Sequence, residues 1–201
     1  MSIHQLKNIF SNEELESIHK AIDVIDIPVI NGEYISDRQN EGVGANKELG
    51  RLQFGGLRNI DDINNKMLKI VNELSPIKLT MAHVMAVEYN SKYGHPVLPP
   101  HFDHDTNDLV VDFQLSANTS WDLGVDLKNY EMLDNSALIF NANEHIHWRP
   151  HKTFKDGEYV KMVFWRFFDE ANPTDYSHLD YVMDHEILKG ANQFRDSLGW
   201  E

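Results

Sequence analysis

The stretch His101-Phe102-Asp103, taken with the downstream run Glu144-His145-Ile146-His147-Trp148-Arg149, decides how the rest of this sequence is read. Side chains at i and i+2 of an extended strand project to the same side, so His101 and Asp103 can share one ion. A later strand carrying His147 adds a second imidazole. Two imidazoles and one carboxylate hold one face of an octahedral ion and leave the opposite positions open, a set suited to Fe(II).

The tripeptide alone carries little weight. The chain holds 11 His and 18 Asp among 201 residues, so about one His-x-Asp arises by chance. A second copy, His178-Leu179-Asp180, lies in a stretch of helical periodicity, where i and i+2 do not face each other. The first copy differs by its context. The run Tyr93-Gly94-His95-Pro96-Val97-Leu98-Pro99-Pro100 fixes a loop before it, strand patterns follow it, and a distal histidine sits on a later strand. His101, Asp103 and His147 are therefore the expected ligand set. His145 shares the strand parity of His147 and competes for the distal place, while His151 falls in the following loop. His95 is placed either at the substrate or on the plain surface.

Outward from this region the apolar residues alternate. Residues 78–89 place Leu79, Met81, Met85, Val87 and Tyr89 on one side. Leu109, Val111, Phe113, Leu115 and Ala117 follow the same rule, as do Trp121, Leu123, Val125 and Leu127. Residues 137–140 read as a short buried strand, and 159–168 as a long one after the turn Lys155-Asp156-Gly157-Glu158. Upstream, Ser11-Asn12-Glu13-Glu14 is a capping-box pattern, continued at helical spacing by Leu15, Ile18, Ile22 and Ile25. Ile63, Met67, Ile70, Val71 and Leu74 signal a second helix that Pro76 closes. Residues 31–50, rich in Gly, Asn and charge, are expected to form a mobile loop, with a lid over the site as one reading. Residues 51–54 suggest a short strand, and 177–189 a last helix capped at Gly190. The expected fold is mainly β with flanking α-helices, a double-sheet barrel braced by helices. It is expected as one domain over 1–201, with a helical part at 1–77, the core at about 78–169 and the final helix at about 177–189.

Composition narrows the partners. A formal net charge of −14 with 18 basic residues argues against nucleic acid and against anionic membrane surfaces. No apolar run approaches the ~20 residues of a bilayer span, and the first residues lack the pattern of a signal peptide. The chain has no Cys, hence no disulfide, thiolate metal site or Cys nucleophile. A cytoplasmic protein acting on a small-molecule or peptidyl substrate is the expectation.

The run Asn135-Ser136-Ala137-Leu138-Ile139-Phe140 ahead of His147 resembles the strand that leads to the distal histidine in prolyl-hydroxylase-like 2-oxoglutarate/Fe(II) oxygenases. Asn135-Ser136 replaces that family's Gly-Asp or Gly-Asn, and the resemblance covers residues 79 to 169. It implies a double-stranded β-helix (jelly-roll, cupin-like) core, Fe(II) as metal, and 2-oxoglutarate and O2 as co-substrates. The implied reaction hydroxylates an unactivated C–H bond of an amino acid, a peptidyl (for instance prolyl) group or a small metabolite, with release of succinate and CO2. Hydroxylation is preferred to halogenation because Asp103 fills the carboxylate position. The pH dependence implied by imidazole ligands is a loss of activity as pH falls through histidine titration.

The family's cation for the 5-carboxylate lies about ten residues after the distal histidine, where this chain has Asp156, Gly157 and Glu158. The nearest strand-borne cations are Lys161 and Arg166, of opposite parity. Lys161 is preferred because Tyr159, Val163 and Trp165 on its face are expected to line the pocket. Arg166, which shares its face with Val160, Met162 and Phe164, comes second and Arg149 third. Tyr89 matches a position where similar enzymes place a tyrosine beside 2-oxoglutarate, and Gln114 and Ser116 are expected to hydrogen-bond the same acid. Trp121 and Trp148 are assigned to the core. Two other classes compete: a cupin-like metalloenzyme that does not use 2-oxoglutarate, and a non-catalytic binding barrel. The first gains if neither Lys161 nor Arg166 faces the metal.

Overall fold

A computed structural model describes residues 2–36, 42–103, 109–150 and 152–171. Along the chain run β1 (His4–Lys7), α1 (Asn12–Asp23), β2 (Val29–Ile30), β3 (Glu33–Tyr34), β4 (Val43–Asn46), β5 (Arg51–Gly55) and α2 (Asp61–Leu74). There follow β6 (Leu79–Asn90), β7 (Leu98–His101), β8 (Leu109–Ala117), β9 (Leu123–Val125), β10 (Lys128–Tyr130), β11 (Ser136–Phe140), β12 (His147–Arg149) and β13 (Tyr159–Asp169). The strands build a seven-stranded sheet in the order β1-β11-β8-β13-β6-β5-β4 and a four-stranded sheet β10-β9-β12-β7, with β2 and β3 as a separate hairpin. This is the β-rich, helix-flanked double-sheet architecture expected from the alternation, with the jelly-roll core that the resemblance implies.

Two apolar cores result. The helices bury one stripe each on the outer face of the large sheet, where Ile18, Ile22, Met67 and Val71 meet Leu109, Val111, Phe113, Val163, Trp165 and Phe167. The capping box forms as read: the Glu14 amide donates to Ser11 Oγ at 3.3 Å and the Ser11 amide to Glu14 Oε2 at 2.7 Å. The start of α2 has no side-chain cap, but Asp61 and Asp62 lie in its first turn, where carboxylates favour the helix dipole. Trp165 Nε1 donates to Asn64 Oδ1 at 2.8 Å and ties α2 to β13. The second core lies between the sheets, where Val87, Tyr89, Leu138, Phe140, Val160 and Met162 meet Leu123 and Val125.

Two bulges change which face a residue uses. On β6, Arg166 pairs with His83 but Phe167 pairs with Met81, so Ala82 is the extra residue. The expected single face of β6 is therefore divided. Leu79 and Met81 belong to the helix-side core, while Met85, Val87 and Tyr89 point between the sheets. On β8, Met162 pairs with Gln114 but Lys161 pairs with Ser116, leaving Leu115 extra. Gln114 and Ser116 thus lie on opposite faces, contrary to the even alternation expected.

Other departures have local causes. β1 carries too short and mixed a pattern to read from sequence, and forms by pairing with β11. Leu127 does not continue the alternation of β9; it sits in the turn to β10, 90% exposed. The expected mobile loop at 31–50 contains β3 and β4. Its end is stitched down: the Val97 amide donates to Leu49 O at 3.3 Å and the Asn90 amide to Gly50 O at 3.1 Å. Gly50, at φ +58°, packs so closely that a Cβ would lie 2.3 Å from the His95 carbonyl carbon. Residues 37–41, His151, the second His-x-Asp and the last helix at 177–189 lie outside the described residues. No described helix is long and apolar enough to cross a membrane.

β12 is held against β9 by an equally close approach. A Cβ on Gly124 would fall 2.3 Å from the indole of Trp148, its register partner. Gly124→Ala must displace that indole and the strand that carries His147. The expected cost is about 1–3 kcal/mol, read as a lower urea midpoint at unchanged slope.

Candidate metal centre

Cross-strand pairing brings the two histidines together. β7 and β12 run antiparallel with His147 directly opposite His101, and their ring centroids are 4.1 Å apart. β7 is the edge strand of its sheet, which is why it tolerates Pro99 and Pro100. Asp103 follows the strand end, where its amide donates to Ala142 O at 3.0 Å. Each imidazole Nε2 lies 3.7 Å from Asp103 Oδ1. One ligand atom from each of His101, Asp103 and His147 lies within 4.8 Å of the others, so the three residues singled out by spacing do converge.

The far nitrogen of each ring sets its tautomer. His101 Nδ1 lies 2.8 Å from Pro99 O and His147 Nδ1 lies 3.2 Å from His145 O. A carbonyl only accepts, so each Nδ1 carries the proton and each Nε2 presents a lone pair toward Asp103. Burial, reinforced by His147, pushes His101 down to about 3. Burial also lowers His147, against the pull of Asp103. Both rings are thereby kept in the ligating neutral form below the ordinary imidazole range, which moves the expected acid loss to lower pH than free histidine titration. His145 does not join the trio: its Nδ1 lies 2.8 Å from Asp126 Oδ2.

A cavity of about 180 Å3 opens over the trio. Tyr89 and Asp112 line its walls, with Arg51 and Arg166 as its cations. Arg166 Nη2 lies 3.5 Å from Asp103 Oδ2. Arg51 donates from Nη1 to the Tyr89 hydroxyl at 3.0 Å and from Nη2 to Gln53 Oε1 at 3.2 Å. Arg149 lies deeper, 1% exposed. It donates to Trp121 O and, at 3.1 Å, to Met162 Sδ.

Several expected neighbours of the cavity are elsewhere. Lys161 lies on the helix side of the sheet, 3.6 Å from Glu88, because its face is shared with Val163 and Trp165 of the helix-side core. The parity favouring Lys161 over Arg166 is therefore reversed. Ser116 faces its register partner Lys161. Gln114 points between the sheets but donates to Met132 O at 3.1 Å and Asp134 Oδ1 at 3.2 Å, outside the cavity lining. His95 is exposed and does not line the cavity. Trp121 and Trp148 are buried, as assigned. Arg51 and Asp112 had no motif to reveal them; the only signal was an arginine opening a short strand and a lone Asp inside an apolar one.

The sequence matches no protein-family model and no curated protein. Solved structures are similar in fold. HygX from Streptomyces hygroscopicus with nickel and 2-oxoglutarate bound superposes with a TM-score of 0.58 at 9% identity, over 84% of this chain and 83% of that one. A prolyl hydroxylase from Trichoplax adhaerens, in complex with a hypoxia inducible factor peptide, gives 0.54 at 13% identity over 85% of each chain. The viral collagen prolyl hydroxylase of Paramecium Bursaria Chlorella virus-1 gives 0.52 at 14%, over 84% and 91%. The chain has the fold of the 2-oxoglutarate/Fe(II) oxygenases.

Asp112 offers a test of the cavity's electrostatics. It accepts no hydrogen bond among the described residues, and burial pushes its carboxyl up to about 7, with Arg149 opposing. A raised folded value means a contribution present below the ordinary carboxyl range and lost as pH rises through about 7. Asp112→Asn should therefore stabilise the metal-free protein at about pH 8 and leave it unchanged near pH 4. Urea titrations at both values check this; an equal gain at both would place the effect in packing instead.

Proposed function

We propose that this protein is an Fe(II)- and 2-oxoglutarate-dependent oxygenase that hydroxylates a C–H bond of a small-molecule or peptidyl substrate. The observation that carries the reading is the convergence of two Nε2 atoms and one carboxylate oxygen at the mouth of a cation-lined cavity. Two neutral imidazoles and a carboxylate form a donor set that fits a ferrous ion with open positions. The cations fit a dianionic co-substrate, since a carboxylate is buried at bearable cost only beside a partner charge. When bound, the iron and 2-oxoglutarate supply the oxidative decarboxylation that activates O2.

The chain's own residues do the rest. Pro99 O and His145 O hold the rings so that both Nε2 lone pairs point inward. Arg166 reaches the Asp103 oxygen that faces away from the imidazoles and so orients that carboxylate. Phe164, Met85, Val110 and Leu98 line the remaining wall with apolar surface, which limits water around the reacting centre. Of the two β13 cations, the one that faces the cavity is Arg166, which favours a 2-oxo acid over a cupin-like reaction without one.

Anaerobic addition of Fe(II) and then 2-oxoglutarate should produce a visible charge-transfer band. His101→Ala, Asp103→Ala and His147→Ala should each remove it while far-UV dichroism is retained. His145→Ala should keep it. Retention in His147→Ala, or loss in His145→Ala alone, would refute the distal assignment.

A further inference from the structure

We propose that Arg51 and Tyr89 form a two-donor seat for the far carboxylate of the 2-oxo dicarboxylic acid, so that the anchoring cation comes from β5. The inference rests on the co-substrate reading above and names where that acid is held. Tyr89 is fully buried and lines the cavity with Arg51. Its hydroxyl oxygen accepts from Arg51 Nη1 at 3.0 Å. The phenolic proton then has no acceptor among the described residues. Arg51 Nε is likewise buried with no hydrogen-bond partner among them. Two unmet donors on adjacent, paired residues, Arg51 being the register partner of Tyr89, are the arrangement a carboxylate satisfies with its two oxygens. Leaving both unmet is costly, and a charge-assisted pair to a carboxylate is the strongest way to meet them.

The other cations suit this role less well. Arg166 Nη2 already lies 3.5 Å from the Asp103 carboxylate, so its charge is partnered within the protein. Arg149 has both terminal nitrogens engaged, by Trp121 O and Met162 Sδ, and does not line the cavity. Lys161 is on the other face of the sheet. Gln53 Oε1 fixes the second Arg51 nitrogen at 3.2 Å, which presents the guanidinium edge in one orientation.

The test compares two chelators that differ only at the far end: 2-oxoglutarate and 2-oxopentanoate, which ends in a methyl group. Affinities are measured anaerobically on the Fe(II)-loaded protein by the charge-transfer band. The wild type should prefer 2-oxoglutarate by at least about thirtyfold. Arg51→Met should bring that preference close to one while leaving 2-oxopentanoate binding in place, which also shows that the variant is folded and holds metal. Arg51→Lys should recover part of the preference, and Tyr89→Phe should lose several-fold of it. A full preference in Arg51→Met, or its loss in Arg149→Met or Arg166→Met instead, overturns the seat. A wild type that binds neither acid overturns the co-substrate reading itself, and the seat with it.

Discussion

The antiparallel pairing of β7 with β12 is the constraint on which the site depends. It places His147 opposite His101 at a non-adjustable register, and neither strand is long enough to hold that register alone. β7 has four residues and two of them are proline; β12 has three. β9 clamps β12 from the other side through the contact of Gly124 with Trp148, and the core between the sheets supports all three. The histidines are thus fixed by a buried layer that contains little chemistry of its own.

The inner face of the large sheet supplies the complementary half of the site. β5, β6, β8 and β13 each place a polar side chain in the cavity: Arg51, Tyr89, Asp112 and Arg166. On the same strands, residues one step away enter the helix-side core. A strand face that is apolar along most of its length and charged at one point puts that charge at high electrostatic cost unless an opposite charge arrives. Two arginines, Arg51 and Arg166, are gathered around one small cavity in a chain whose formal net charge is −14.

Bulges decide which side chains take part. Were the ladder unbroken through Ala82, His83 and Met81 would share a face. Were it unbroken through Leu115, Ser116 would join Gln114. Alternation assigns residues correctly only over an unbroken ladder, and one inserted residue inverts everything beyond it. Which of the opposite-facing Lys161 and Arg166 meets the cavity is hidden in the sequence for a related reason. Both faces of β13 are apolar, since helices cover one and the second sheet covers the other, so composition gave no sign of which side held the cavity.

The nearness of His101 to Asp103 and the β-rich fold were legible in the sequence because they rest on short-range rules. The i, i+2 spacing of His101 and Asp103 follows from strand geometry, and so do the alternating runs of β6, β8 and β13. The capping box of α1 is equally local. What needed tertiary structure was whatever rests on pairing across distance: β1 against β11, the His101–His147 register, the face presented by Lys161, and the entry of Arg51 from a strand far upstream. Those outcomes are set by which strands find each other and where a ladder slips. That depends on packing of the whole double sheet, and no window of residues encodes it.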